Sequence, residues 1–295
     1  MAQLSFFDNQ QTRSIVNVAS VPQRSLFRYP GGKTWLVPQI RRWLASLPYK
    51  PDDFVEPFAG GGIASLTVVF EQLAQRATLV ELDHQVASVW HTLVYGGADC
   101  LAERIAGFHF TPDSVAAILE ESPVSTLDQA FQTILKNRVN RGGILAHGAG
   151  RIKNGENGRG LASRWYPQTL KQRIINIVSV RERLRFFEGD GMQMLVDCAE
   201  LDHCVFFIDP PYTAGGKRAG SRLYTHAELD HEALFRLTAT LKGDFLMTYD
   251  NVGELHELAK MYNFDTALID MKNSHHAEMT ELLIGRNLDW LRYTR

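Results

Sequence analysis

No apolar run in the 295-residue chain approaches the roughly 18 residues a helix needs to cross a bilayer, so a membrane-spanning protein is not expected. Cysteine is scarce. Cys100, Cys198 and Cys204 are odd in number and lack the paired spacing of a metal or redox site. They are expected as small core residues in a reducing, cytoplasmic setting. Residues 1–22 lack the basic start and apolar stretch of a secretory signal and are expected as a loose leader. No metal is expected either: His226 and His231 stand five apart, poor spacing for two ligands on one helix face, and His275-His276 have only Glu278 nearby. A strong net charge is also missing. The formal total of -2 argues against a protein that coats nucleic acid indiscriminately.

That total hides a segregation. Between Lys136 and Arg185 twelve basic residues face only two acids, Glu156 and Glu182, a local charge of +10. The rest of the chain must then carry -12 to reach -2. A charge run is usually a solvated face, but one this rich in Arg and Gly favours an anionic partner. With 45% hydrophobic and 22% charged residues, the chain is otherwise an ordinary globular one.

Three blocks separate along the chain. From about Ser25 to Gly96, strand and helix alternate: Asp53–Phe58 and Ala77–Leu82 are predicted strands, Ile63–Ala74 a helix. Val86, Val89, Trp90 and Leu93 mark the buried face of another helix. From about Gly97 to Val180 the alternation stops, giving a helical or irregular block with the Gly-rich basic stretch Asn140–Gly160. Strands are predicted again at Leu184–Glu188, Cys204–Ile208, Phe245–Tyr249 and Glu281–Ile284. Thr225 and Glu228 form a capping-box pair ahead of a helix bearing Leu229, Leu234, Leu237 and Leu241. The simplest reading is one α/β domain, 23–96 with 181–295, interrupted by an inserted domain at 97–180.

Three segments carry the chemistry. Glu56-Pro57-Phe58-Ala59-Gly60-Gly61-Gly62 joins a strand to a helix, where glycines let a ligand approach the backbone and the helix start offers unpaired amides. No Lys-Ser/Thr pair follows, so a phosphate-gripping P-loop is not expected. Glu81-Leu82-Asp83 ends the next strand about 20 residues on, where an acid can accept from ribose hydroxyls; Asp83 also suits a helix N-cap. Asp209-Pro210-Pro211-Tyr212 ends an apolar strand. Its prolines stiffen the backbone, so a carboxylate and a carbonyl can accept hydrogen bonds from one planar amine while the tyrosine ring stacks on the base bearing it.

With these segments in hand, the chain resembles the Dam-type (alpha-class) family of DNA adenine-N6 methyltransferases. Arg28-Tyr29-Pro30-Gly31-Gly32-Lys33 resembles the family's N-terminal cofactor motif, Glu56–Gly62 its glycine motif and Asp209–Tyr212 its catalytic motif. The order is the family's, and the match includes Met247–Asn251 and Thr280–Arg286 as later strands. The resemblance implies an S-adenosylmethionine-dependent, Rossmann-like α/β sheet, largely parallel, with helices on both faces and an inserted helical target-recognition domain. Tyr29 and Lys33 would line the cofactor pocket, Lys33 near the methionine carboxylate. Phe58 and Gly60 would contact the methionine part and its backbone. Glu81 aligns with the ribose-binding acid, and Asp83 sits where many members have Asn. Asp190 would bind the cofactor's adenine amine. The family usually has an aromatic after that acid where this chain has Gly191, which leaves Glu188 as the alternative.

The implied reaction methylates N6 of an adenine flipped out of duplex DNA, catalysed by Asp209, Pro210, Pro211 and Tyr212 without a nucleophilic cysteine. Asn137–Gly143 resembles the family's recognition hairpin region. Arg138, Asn140, Arg141, Arg151, Lys153 and Arg164 are thus candidates for DNA contact, joined by Lys217, Arg218 and Arg222 of the glycine-rich loop Thr213–Leu223. A monomer suffices for the chemistry. The rival readings are an RNA adenine methyltransferase, a protein-glutamine methyltransferase, in which Asn normally replaces Asp209, and a non-catalytic DNA-binding relative.

Overall fold

The computed structural model describes residues 21–28, 32–146, 148–155, 158–211, 229–272 and 278–292. Seven strands form one sheet: β1 (Asp53–Glu56), β2 (Arg76–Glu81), β3 (Leu184–Glu188), β4 (Cys204–Ile208), β5 (Phe245–Asp250), β6 (Asp265–Lys272) and β7 (Glu278–Gly285). Their spatial order is β3-β2-β1-β4-β5-β7-β6, with the first five parallel and β7 antiparallel to both its neighbours. This is the largely parallel α/β sheet with helices on both faces that the resemblance implied. β1 and β4 are buried along their whole length, as the central strands of a sheet covered on both faces must be.

The pleat sorts side chains between two cores. Phe54, Val205 and Phe207 point into one, while Val55, Phe206 and Ile208 point into the other. The first core takes α1 (Val37–Ser46), α2 (Ile63–Phe70) and α3 (His84–Tyr95). The second takes α8 (Gly191–Cys198), α9 (His231–Thr240) and α10 (Gly253–Met261). The intervening helices are α4 (Ala98–Gly107), α5 (Pro112–Glu120), α6 (Thr126–Val139) and α7 (Pro167–Val178). They do not keep a core of their own. Leu101, Ile105, Phe131, Ile134, Leu170 and Ile174 belong to the same apolar cluster as Leu79 and Trp90.

Local signals explain the helix starts. Asp83 caps α3, Ser125 caps α6, and Thr111 and Ser114 form a reciprocal capping box at α5. The predicted Thr225–Glu228 box lies outside the described residues; α9 instead begins with Asp230 accepting from the Ala233 amide. Strand β6 was not foreseen, because Asp265-Thr266-Ala267-Leu268-Ile269-Asp270 is an edge segment with too few apolar residues to stand out. The cysteines divide: Cys204 is buried, but Cys100 is exposed and is not the core residue expected, since it lies on the solvent side of α4. No described helix is long and apolar enough to cross a membrane.

β1 and β4 are neighbours at the centre, yet the chain leaves β1 toward β2 and leaves β4 toward β5. Loops after these two strands diverge to opposite sides, opening a crevice at their carboxyl ends. The glycine turn follows β1 and Asp209 follows β4, so the topology gathers the predicted motifs there.

Candidate active site

The glycine turn is held by its neighbours. The Ala59 amide donates to the Val80 carbonyl at 2.9 Å, tying the turn to β2. Gly62, at φ +61°, caps α2; a Cβ there would come within 2.5 Å of the Trp90 ring. Both the backbone angle and the close approach therefore demand glycine. Trp90 donates its indole N–H to the Gly60 carbonyl at 2.9 Å, and the Gly60 amide donates to Glu81 Oε2 at 2.9 Å. Phe58 is half-buried against the second core.

Glu81 also accepts from the Asp83 amide at 2.9 Å. Burial outweighs these hydrogen bonds and raises Glu81 to about 7. Asp83 is buried and spends its carboxylate on the Gln85 amide at 2.8 Å, the N-cap role its position suited. Asp190 is exposed and caps α8 through the Met192 amide at 2.9 Å. The alternative, Glu188, lies 2.8 Å from His84 Nδ1 at an exposed edge. Gly191 has a local cause: a Cβ there would sit 2.1 Å from the Pro57 carbonyl oxygen. The loop after β3 thus packs backbone to backbone on the glycine turn, which leaves no room for the family's aromatic.

Across the crevice, Thr248 of β5 donates to Asp209 Oδ1 at 2.8 Å, and Lys33 Nζ lies 3.0 Å from the same oxygen. Lys33 also lies 3.5 Å from Glu281 Oε1 on β7. Lys33 is buried, which opposes its charge, but Asp209 and Glu281 outweigh that and hold it above the ordinary lysine value. Glu281 is raised to about 7, chiefly by burial. Beneath the site, Glu56 accepts from the Ser65 amide at 3.0 Å and hydroxyl at 2.5 Å, and burial raises it to about 8. Pro210 is buried and Pro211 partly so. Tyr29, Tyr212, Lys217, Arg218 and Arg222 lie outside the described residues.

Glu56, Thr248 and Glu281 were not singled out from the sequence, although one signal was present. Each is a polar residue next to a fully buried apolar one in its strand, Val55, Met247 and Leu282 respectively.

In the basic block the structure corrects two assignments. Arg138 is buried, and its guanidinium donates to the Leu26 carbonyl; Asn140 is buried and donates to the Ile144 carbonyl at 2.7 Å. Neither side chain reaches a surface where DNA could lie. Arg138 braces the segment 25–28, as do Asn137, which donates to the Arg28 carbonyl at 3.1 Å, and Arg173, which donates to the Ser25 carbonyl at 2.8 Å; Asn140 instead ties down the turn that follows α6. Arg141, Arg151 and Lys153 are exposed. They ride on a short antiparallel pairing in which the Arg141 amide donates to Gly150 and the Ile152 amide to Val139, each at 2.8 Å. Arg164 is half-buried.

Residues 29–79, from the first motif to the second strand, match the D12 class N6 adenine-specific DNA methyltransferase family. The Dam-type resemblance holds. Motif order, strand order and the family match together support a methyltransferase. Among solved structures, the chain overlaps a Pyrococcus horikoshii protein assigned as an RNA methyltransferase, at 10% identity and TM-score 0.40 over 91% of this chain and 92% of that one. It also overlaps the rRNA methyltransferase aviRa of Streptomyces viridochromogenes, at 14% identity and TM-score 0.39 over 96% and 98%. A methyltransferase of Geobacter sulfurreducens overlaps at 12% identity and TM-score 0.37 over 86% and 77%. No curated protein sequence matches the chain.

Proposed function

We propose that this methyltransferase transfers the methyl group of S-adenosylmethionine to N6 of an adenine turned out of duplex DNA. The observation that carries the reading is Asp209 at the carboxyl end of β4, its Oδ1 fixed by Thr248 and Lys33, with the Pro210-Pro211-Tyr212 run directly after it.

The residues at the crevice fit the cofactor. Glu81 is an acceptor-only side chain when ionised, and its two oxygens retain accepting capacity beyond the Gly60 and Asp83 amides, which suits a ribose hydroxyl. The glycine turn is pinned on Trp90 and Leu79 at the carboxyl end of β1, with Gly61 partly exposed toward the crevice. Glu81, Asp190 and Asp209 make the edge acidic, which suits a cationic sulfonium donor. When bound, S-adenosylmethionine supplies an already electrophilic methyl group.

The chain's own work is positioning and charge. The adenine amine is a poor nucleophile because its lone pair is delocalised into the ring. Hydrogen bonds from that amine to Asp209 and the Pro210 carbonyl favour a tetrahedral nitrogen with its lone pair freed. The same carboxylate stabilises the positive charge that grows on nitrogen. Thr248 and Lys33 hold Asp209 so that little reorganisation is needed at the moment of transfer. Turning the base out costs a few kcal/mol, of which stacking on Tyr212 would return about 1–3 kcal/mol. The exposed Arg141, Arg151 and Lys153 are suited to phosphate contacts.

The test is incubation of the purified protein with unmethylated duplex DNA and methyl-labelled S-adenosylmethionine, followed by mass spectrometry of the digested nucleosides. Labelled N6-methyladenine is the expected product. Label found only when RNA replaces DNA would reject the DNA reading, and no label with either would reject the enzyme.

A further inference from the structure

Transfer of a methyl group to an amine leaves one surplus proton on nitrogen, and the crevice must dispose of it. Asp209 is the group in contact with that nitrogen in the reaction proposed above, on which this inference rests. Behind Asp209 stands a buried chain of charged groups: Asp209 Oδ1, Lys33 Nζ at 3.0 Å, and Glu281 Oε1 at 3.5 Å from that nitrogen. Lys33 and Glu281 are about 95% or more buried, so water does not screen them freely. Glu281 is peculiar within this chain. Its second oxygen, Oε2, is buried with no hydrogen-bond partner among the described residues. An ionised carboxylate left short of partners carries a large desolvation cost, which protonation of the carboxyl at Oε1, the oxygen facing Lys33, relieves.

We infer that Glu281, acting through Lys33, stores the proton that Asp209 takes from the amine. As the N–C bond forms and the methyl leaves sulfur, the N–H proton passes to Asp209. The Lys33 ammonium gives one of its protons to Glu281 and receives the one held by Asp209. Lys33 ends as it began, Asp209 is an anion again, and Glu281 is a neutral acid; nothing is oxidised or reduced. Glu281 then loses its proton before the next turnover. The groups facing Glu281 agree with this role. Lys33, from the turn before α1, favours its anion, whereas Asp209 after β4 and Asp250 at the end of β5 favour the neutral acid. Burial adds to the latter side, so Glu281 is more basic than an ordinary carboxylate. Glu281 is a positioning and proton-holding residue; it does not touch the base.

The test uses the full chain in single turnover on preformed complex with DNA, across pH. Glu281 must be ionised to accept, so the parent rate should rise with pH along an acid limb centred near 7. Glu281→Gln should lower the plateau on the order of 100-fold, the lower reach of general-base effects, and abolish that limb. Glu281→Asp, which keeps a carboxylate and serves if the Gln variant does not fold, should retain the limb at a reduced rate. Infrared titration of the ligand-free protein should show two carboxyls near 7, Glu81 and Glu281, of which one is missing in Glu281→Gln and moves upward in Lys33→Met while the other stays in place. A limb that persists unchanged in Glu281→Gln overturns the inference, as does a loss confined to DNA or cofactor binding. A parent protein that methylates nothing overturns the reaction itself, a result distinct from either.

Discussion

The crevice at the strand ends and the basic block that runs from the end of α6 through α7 handle charge in opposite ways. In the crevice, carboxylates are packed inward: Glu56, Glu81 and Glu281 are each raised to about 7 or 8 by burial. In the basic block the population splits. Arg138 is packed inside and pushed down to about 9, first by burial and then by Arg173, Arg28 and Arg164, while Arg141, Arg151 and Lys153 stay exposed. Residue type alone therefore does not say which arginine is structural. A guanidinium whose donors end on the chain's own carbonyls, as at Leu26, braces; one that faces solvent is left for a partner. In the crevice the reverse holds, since the buried acids adjoin the proposed site.

The contrast can be pressed with substitutions. The largest effect is expected for Asp209→Ala, which should cut methyl transfer by about 10²–10³-fold or more, the cost of removing a preorganised charged partner, while cofactor binding by calorimetry survives. A variant near parental turnover would remove Asp209 from the mechanism. Arg138→Ala should do the opposite and leave chemistry per folded molecule intact. Loss of a buried brace that satisfies the Leu26 carbonyl is expected to cost about 2–4 kcal/mol, or on the order of 5–10 °C in melting temperature. An unchanged melt would return Arg138 to the surface group.

Smaller effects should follow at the exposed cations. Arg151→Ala with Lys153→Ala should leave the melt within about 0.5 kcal/mol of the parent. DNA binding should weaken, and the slope of log affinity against log salt should drop by about one per lost phosphate contact. An identical slope would take both residues out of the interface. The smallest effect concerns pH. Glu56 is raised to about 8, so the fold favours its neutral form. The stability it contributes is present below the ordinary carboxylate range and is lost as pH rises through 8. The melting temperature should fall between pH 5 and 9, and Glu56→Gln should make that fall shallower. A residual slope should remain, because Glu81 and Glu281 act in the same direction.

Much of the site was legible before any fold was in view. The glycine turn, Glu81 and Asp209 are adjacent in type and order to strand ends that hydrophobic runs already marked. Lys33 was legible only in part. The resemblance assigned it to the cofactor's carboxylate, but within the described chain it is engaged by Asp209 and Glu281. Glu281 lies 72 residues beyond Asp209, and no spacing rule connects them; the antiparallel insertion of β7 beside β5 does. Arg138 and Asn140 misled because Arg and Asn on a basic stretch carry the same letters whether they face DNA or the chain's own carbonyls, Leu26 for one and Ile144 for the other.

The sequence by itself determined the alternation of strands and helices, the strand-end motifs and their order, because each depends on local periodicity, turn chemistry and the rigidity of proline. Only the tertiary structure decided which charges are buried, which polar atoms are left without partners, and that the inserted helices share the sheet's core. Those outcomes depend on which distant segments meet. Burial and electrostatic shifts belong to that meeting rather than to any residue taken alone.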